Sequence, residues 1–171
     1  MDNKIKVSDI TITAMMAALV FVGTYFFKFP TLFGYTHLGD CMIILTVCLF
    51  GTKKGAIAGA IGAGLSDLLG GYAVWVIPTM AFKALWAIVM GLIAYKLLPK
   101  FKFNWLVGAI VGAVVHVVCY TLMKIPLFGL SYAIARIPVI SAQSAWGVAV
   151  GGILFTVFAN IPAIKKTISY E

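Results

Sequence analysis

Six runs of apolar residues, separated by Pro, Gly and clusters of charge, cover most of this chain. In chain order they span residues 10–29, 39–50, 55–69, 78–98, 105–123 and 142–161. Strands of a membrane β-barrel would alternate apolar and polar residues, whereas residues 107–118 are all Val, Ile, Gly and Ala except for His116. The pattern predicts an all-α membrane protein with six transmembrane helices, forming a single integral-membrane domain over residues 1–171.

The second and third runs are short for membrane spans. At a rise of about 1.5 Å per residue they reach only about 18 and 23 Å of a hydrocarbon core roughly 30 Å thick. We therefore expect neighbouring helices to shield them or ordered loops to continue them. An alternative treats the two runs as one broken hairpin around residues 51–55, which would reduce the number of crossings.

Composition and charge agree with a membrane location. The chain is 63% hydrophobic and 11% charged, whereas soluble domains are about 25% charged, so neither a soluble globule nor an added catalytic domain is expected. The net charge of +8 is explained by topology rather than by nucleic acid. With the N-terminus inside, nine of the 13 basic residues fall on the inner side (Lys4, Lys6, Lys53, Lys54, Lys96, Lys100, Lys102, Lys165, Lys166) and four on the outer (Lys28, Lys83, Lys124, Arg136). Both termini are therefore predicted to be cytoplasmic.

The two longest connections, residues 30–38 and 124–141, lie on the predicted outer side. Both are apolar and aromatic, which is typical of covers folded over a pocket. The alternative is that they rest in the headgroup region as an aromatic belt.

Small residues spaced four apart form faces on several predicted helices. Such faces allow close helix approach, which matters in lipid because apolar burial no longer drives association. The steps are Ala14/Ala18, Gly55/Gly59, Gly108/Gly112 and Gly147/Gly151. Either all four serve internal packing, or one is a docking surface for another membrane protein.

Few polar side chains lie within the apolar runs, and intramembrane charges are functional candidates by default. Asp40, Asp67 and Lys83 all fall in the outer half, where they could form a buried ion network or contribute a ligand to a polar substrate. His37 lies in the first outer connection, and His116 lies in the fifth helix with Tyr120 one turn further out. With Gln143 and the aromatic side chains at that end, they suit a flat, neutral or zwitterionic small molecule.

Motifs for catalysis are absent from the sequence. It contains no G-x-x-x-x-G-K-[ST], no G-x-S-x-G, no H-E-x-x-H and no cysteine or histidine spacing typical of a metal site. We therefore expect no enzyme and no cofactor, but a small protein that captures a solute and depends on another chain for energy. A structural or assembly protein without a solute, and a self-sufficient channel or carrier, remain the alternatives.

One block of the sequence resembles a known family. Thr36-His37-Leu38-Gly39-Asp40, residues 59–63, Ser66-Asp67-Leu68-Leu69 and Pro78-Thr79-x-x-x-Lys83, together with Ala14-x-x-x-Ala18, are similar to the S components of energy-coupling factor (ECF) vitamin transporters. These are small six-helix membrane proteins that bind the substrate. The block is similar to one branch of the family, which includes S components assigned to vitamin B6 forms or hydroxymethylpyrimidine.

The resemblance implies partners, a location and site roles. It implies a complex with a transmembrane coupling subunit and two ABC-type ATPases in the cell membrane. Thr36 and His37 would belong to a gate, and Ala14 and Ala18 would face the coupling subunit. Pocket candidates are Lys83, His116, Tyr120 and Gln143. The expected substrate is pyridoxal, pyridoxine or hydroxymethylpyrimidine, with riboflavin, pantothenate or thiamin as alternatives.

Overall fold

The computed structural model describes residues 6–31 and 34–165 of the chain. Lys4, Lys166 and residues 32–33 of the first outer connection lie outside these residues. The elements in chain order are α1 (Val7–Tyr25), β1 (Lys28–Thr31), β2 (Gly34–His37), α2 (Gly39–Phe50), α3 (Thr52–Leu69), a 3₁₀ turn (Ala73–Trp75), α4 (Val76–Gly91) continuing as a π-helical turn (Leu92–Leu97), α5 (Asn104–Phe128), α6 (Leu130–Ala159) and the short α7 (Pro162–Lys165).

Four helical segments among the described residues are long and apolar enough to cross a membrane: Val7–Tyr25, Ala73–Leu97, Asn104–Phe128 and Leu130–Ala159. Helix α2 is shorter and lies in the middle of the bundle, where ten of its twelve residues are buried. Its neighbours α1, α3, α4 and α6 pack around it. Helices around α2 thus supply the shielding that a span of this length needs, and the architecture is that of an all-α membrane protein.

The prediction of a long connection over residues 124–141 is wrong. Helix α5 continues through Pro126 to Phe128, and α6 starts at Leu130 and runs through Pro138. Membrane helices tolerate proline because neighbouring groups satisfy the freed backbone carbonyls. Gly129 alone makes the turn, with φ +87°, a conformation that other residues rarely adopt.

The first helix ends at Tyr25 rather than at residue 29, and the connection predicted to lie on the outer side forms a β-hairpin. Its antiparallel register pairs Lys28 with His37 and Phe29 with Thr36. The Leu38 amide donates to the Gly23 carbonyl at 3.2 Å, which fixes the hairpin to the end of α1. The hairpin therefore holds His37 against the helix bundle.

The three glycine steps are used inside the bundle. Gly55 and Gly59 lie against α2, Gly108 and Gly112 against α4, and Gly147 and Gly151 against α2. A Cβ on Gly147, for instance, would lie 2.8 Å from the Asp40 Cβ. Ala14 and Ala18 differ, because both are exposed on α1.

Candidate substrate pocket at one end of the bundle

A cavity of about 340 Å³ lies at the end of the bundle where α1, α3 and α5 finish and α4 and α6 begin. Its walls come from all of these helices and from β2. The lining residues are Thr24, His37, Ala63, Asp67, Tyr72, Trp75, Thr79, His116, Tyr120, Lys124, Phe128, Tyr132, Arg136, Ile140 and Gln143.

A buried ion pair lies at the inner end of this cavity. The Lys83 ammonium, on α4, contacts the Asp40 carboxylate at the start of α2, and both residues are almost fully buried. Lys83 also donates to His116 Nε2 at 2.9 Å, and His116 Nδ1 lies 3.0 Å from Ser144 Oγ. This pattern fits a neutral His116 that accepts at Nε2 and donates at Nδ1. The pair is therefore compensated on both sides by hydrogen bonds.

Gln143 joins the hairpin to this inner cluster. Its amide nitrogen donates to Asp40 Oδ2 at 2.9 Å and to His37 Nε2 at 3.2 Å. Burial lowers the pKa of His37 to about 4, so its imidazole is neutral near pH 7 and Nε2 can accept. The Gln143 amide therefore links His37 of the hairpin to the Asp40 carboxylate on α2.

Asp67 stands apart from the ion pair. It lines the cavity from α3, as does Thr79 from α4, whose hydroxyl oxygen accepts from the Tyr120 hydroxyl at 2.8 Å. Within residues 6–31 and 34–165 no basic side chain lies within 4 Å of the Asp67 carboxylate. The structure therefore brings Asp40 and Lys83 into direct contact, but not Asp67.

Aromatic rings line the outer part of the cavity. Trp75 stacks with Tyr120 at a centroid distance of 5.8 Å and with Phe128 at 6.2 Å, and Phe128 lies 5.0 Å from the ring of Tyr132. Lys124 lies over this wall, 4.7 Å from the Trp75 ring centroid. Such faces can stack on a flat ligand while the inner cluster binds its polar groups.

The predicted site residues divide into three groups. His37, His116, Tyr120 and Gln143 line the cavity, and Lys83 contacts His116 from behind the wall. Thr36 is half-buried on β2 and is not a lining residue. Ala14 and Ala18 lie on the exposed face of α1, away from the cavity.

Two lining cations, Lys124 and Arg136, are not among the site residues predicted from the sequence. Both fall in the segment that was predicted as a loop. Their signal was helical spacing: Tyr120, Lys124 and Phe128 are four residues apart on α5, as are Tyr132, Arg136 and Ile140 on α6. Because Pro126 and Pro138 were taken as helix breaks, this four-residue spacing on the two helices was not recognised.

The arrangement is suited to reversible binding. Across residues 6–31 and 34–165 no group of three His, Cys, Asp or Glu side chains is placed to hold a metal ion. Polar groups at one end and stacked rings at the other would orient a small ring compound without covalent chemistry.

Comparisons with known proteins identify relatives over nearly the whole chain. The model of a family described as "ECF-type riboflavin transporter, S component" matches residues 4–165. A protein of Pyrococcus woesei, described as "Uncharacterized protein in gap 3'region", is 29% identical over 146 residues, which are 84% of this chain and 89% of the relative.

Proposed function

The chain belongs to the family of S components of ECF-type vitamin transporters, and we propose that its cavity captures a flat, ring-containing vitamin at the outer face of the cell membrane. S components are substrate-binding membrane subunits of transporters and not enzymes. Membership confirms the family resemblance found in the sequence, and the vitamin B6 or hydroxymethylpyrimidine branch stays a prediction.

The main support for the proposal is that one cavity has polar side chains at one end and aromatic rings at the other. Gln143 and His116 present amide and imidazole groups whose positions are fixed by Asp40 and Lys83. Trp75 and Tyr120 supply ring faces at the other end. A purely structural bundle would gain no stability from leaving space between these walls, since unfilled volume costs packing energy.

A single-ring pyridine or pyrimidine is the first candidate, namely pyridoxal, pyridoxine or hydroxymethylpyrimidine. The cavity volume of about 340 Å³ is near the lower limit of roughly 300–1,000 Å³ for small-molecule sites, which favours a small ligand. Riboflavin is the second candidate, favoured by the description of the family.

Calorimetry on the purified chain, without ATP, tests the capture step. We expect one of these vitamins to bind, Gln143→Met to weaken binding at least tenfold, and Ser141→Ala, an exposed change on the same helix, to leave it unchanged. If a folded chain bound none of the water-soluble vitamins, the structural or assembly alternative would replace this proposal. Uptake by vesicles containing this chain alone would instead favour a self-sufficient carrier.

Energy for release would come from a transmembrane coupling subunit and two ABC-type ATPases. We propose that Ala14 and Ala18 form the docking face, because their small side chains are exposed whereas the three glycine steps are already occupied by helices of the bundle.

Co-purification with a coupling subunit and its ATPases tests this face. We expect Ala14→Trp or Ala18→Trp to abolish complex formation while vitamin binding persists. Ile153→Trp is the matched control, because Ile153 is 64% exposed on α6 and carries no small-residue step. If both α1 variants assembled normally, the face formed by Ala14 and Ala18 would contact lipid only, and the docking proposal would be wrong.

Six crossings with both termini in the cytoplasm complete the proposed arrangement. It places the cavity and the Gly129 turn outside, and the turn around residues 98–103 inside. In a cysteine-free background, Leu130→Cys, beside this turn and 59% exposed, should react with an impermeant maleimide in intact cells, and the exposed Lys102→Cys only after permeabilisation. The reverse pattern would invert the topology.

A further inference from the structure

Two basic side chains on facing helices line the aromatic part of the cavity, Lys124 on α5 and Arg136 on α6. Lys124 is 6% exposed, and its ammonium lies 3.5 Å from the Tyr120 carbonyl oxygen and 4.8 Å from the Tyr120 ring centroid. The Arg136 Nε and Nη1 atoms are buried and have no hydrogen-bond partner in the structure. Both cations thus lie in the same cavity with donors to spare.

No carboxylate that the structure describes neutralises them. Throughout the described ranges, 6–31 and 34–165, no carboxylate lies within 4 Å of either side chain. Asp67 lines the same cavity from α3, but its carboxylate is not within 4 Å of the Lys124 ammonium or the Arg136 guanidinium. Arg136 is half-buried as a residue, but its buried Nε and Nη1 atoms and the buried Lys124 ammonium are costly without a partner, which makes the two cations candidates for binding a ligand.

The chemistry of the two groups defines the missing partner. A guanidinium presents its N–H donors in a planar fork that matches the oxygens of a carboxylate or a phosphate, and an ammonium adds a point charge beside it. A neutral hydroxyl or ring nitrogen would satisfy one donor but leave both charges uncompensated.

We propose that Lys124 and Arg136 bind an anionic group of the captured vitamin, a carboxylate or a phosphate, while its ring stacks on the aromatic wall. This inference rests on the proposed function and narrows it to acidic or phosphorylated forms of the vitamin. His116, Tyr120 and Lys124 follow one another at four-residue intervals on α5, so the anion lies about two turns from the Lys83 pair, beyond the aromatic wall.

Matched ligand pairs test the inference by calorimetry on the chain purified in a neutral detergent. The pairs are pyridoxine with 4-pyridoxic acid, and riboflavin with riboflavin 5′-phosphate. We expect the anionic member of at least one pair to bind more than tenfold tighter than its neutral partner. Arg136→Gln and Lys124→Met should each reduce that ratio at least fivefold. Arg136→Lys should retain more of the preference than Arg136→Gln, and Lys102→Met, an exposed change at the other end of the bundle, should retain all of it.

Failure of the anion-binding inference can be distinguished from failure of the proposed vitamin capture. Binding of a neutral vitamin with no gain for its anionic partner would overturn this inference and leave the proposed function standing. Binding of no water-soluble vitamin by a chain with an unchanged melting transition would overturn both.

A lipid headgroup carries the same phosphate chemistry and needs its own comparison. Binding is repeated in nanodiscs of phosphatidylcholine alone and with phosphatidylglycerol. Equal affinity for the anionic vitamin in both supports the inference. If phosphatidylglycerol competes with it, and Arg136→Gln removes the competition, the two cations belong to a lipid site and the inference is wrong.

Discussion

Lys83 and Lys124 are both buried lysines at the same end of the bundle, but their surroundings differ. Lys83 contacts the Asp40 carboxylate and donates to His116, and Gln143 and Ser144 complete the cluster. Among residues 6–31 and 34–165, Lys124 has a backbone carbonyl at 3.5 Å and two aromatic rings as its contacts and no carboxylate, with Arg136 nearby. The inner cluster is complete within the protein, whereas the outer pair of cations is not.

The comparison separates two uses of buried charge. A compensated pair fixes α2 against α4 and α6 and orients the polar groups that line the cavity. An uncompensated pair contributes little to folding, since part of its desolvation cost is not recovered. Substitutions in the two clusters should therefore have opposite signatures: stability should depend on the inner one and ligand selectivity on the outer one.

Breaking the inner pair should have the largest effect. Asp40→Asn leaves the Lys83 ammonium buried without its counter-charge, which costs about 3–5 kcal/mol. Thermal melting in detergent should fall by roughly 10 °C. The double variant Asp40→Asn/Lys83→Met should recover much of the loss, because no unpaired charge remains. An unchanged melting temperature for Asp40→Asn would contradict the assignment.

Protonation of His37 should have the next largest effect on stability. Because its pKa is about 4 when folded and 6.5 when unfolded, the unfolded chain binds a proton first as pH falls. Stability should therefore decline by about 3 kcal/mol between pH 6.5 and pH 4, and be fully present above pH 6.5. Melting across this range measures it, with His37→Gln as the control that should flatten the profile. A profile that keeps its slope in that variant would assign the effect to another group.

Crowding of the inner cluster should have a smaller effect. In Gly147→Ala the new methyl group would lie 2.8 Å from the Asp40 Cβ, so α6 and α2 must separate. Overpacking of this kind costs about 1–3 kcal/mol and should also weaken vitamin binding. Ala149→Val, an exposed change on the same helix, is the control. Equal stability of the two variants would show that the helix contact is looser than the structure indicates.

Removing the outer charge should have the smallest effect on stability. Lys124→Met keeps the side-chain bulk and loses the cation–π contacts with Trp75 and Tyr120, but also removes an unpaired charge beside Arg136. The net change in the free energy of unfolding should stay below about 1 kcal/mol. Lys83→Met is the matched variant, because it leaves the buried Asp40 carboxylate without its counter-charge and should lower the free energy of unfolding several times more. Equal losses for the two lysines would remove the distinction between the clusters.

Much of the helical framework could be predicted from apolar runs. The bounds of α2 agree with the prediction, and α3 extends it by only three residues, because Gly51 ends one run and begins the next. The last two helices were predicted too short, because proline is a poor guide to helix ends in a membrane, where neighbours satisfy the backbone. The β-hairpin was missed because Lys28 and Phe29 were assigned to the end of the first helix and the apolar residues 30–38 to a connection without regular structure.

The sequence also singled out Asp40, Lys83, His116 and Gln143, because polar residues in apolar runs are rare. It could not say which of them meet. Asp40 and Asp67 look equivalent along the chain, yet only Asp40 contacts Lys83, since α2 is central and Asp67 lies on the cavity wall near the end of α3.

By itself, the sequence determined the class of this protein: a membrane-embedded helical bundle of the S component family, with its polar residues concentrated at one end. These properties depend on composition and local pattern, which are independent of how helices pack. Tertiary structure decided which charges are neutralised, that three glycine steps are internal while Ala14 and Ala18 stay exposed, and that Lys124 and Arg136 face one cavity. Those outcomes depend on how each helix is rotated about its axis and on which helices pack together, because packing brings together residues that are distant along the chain.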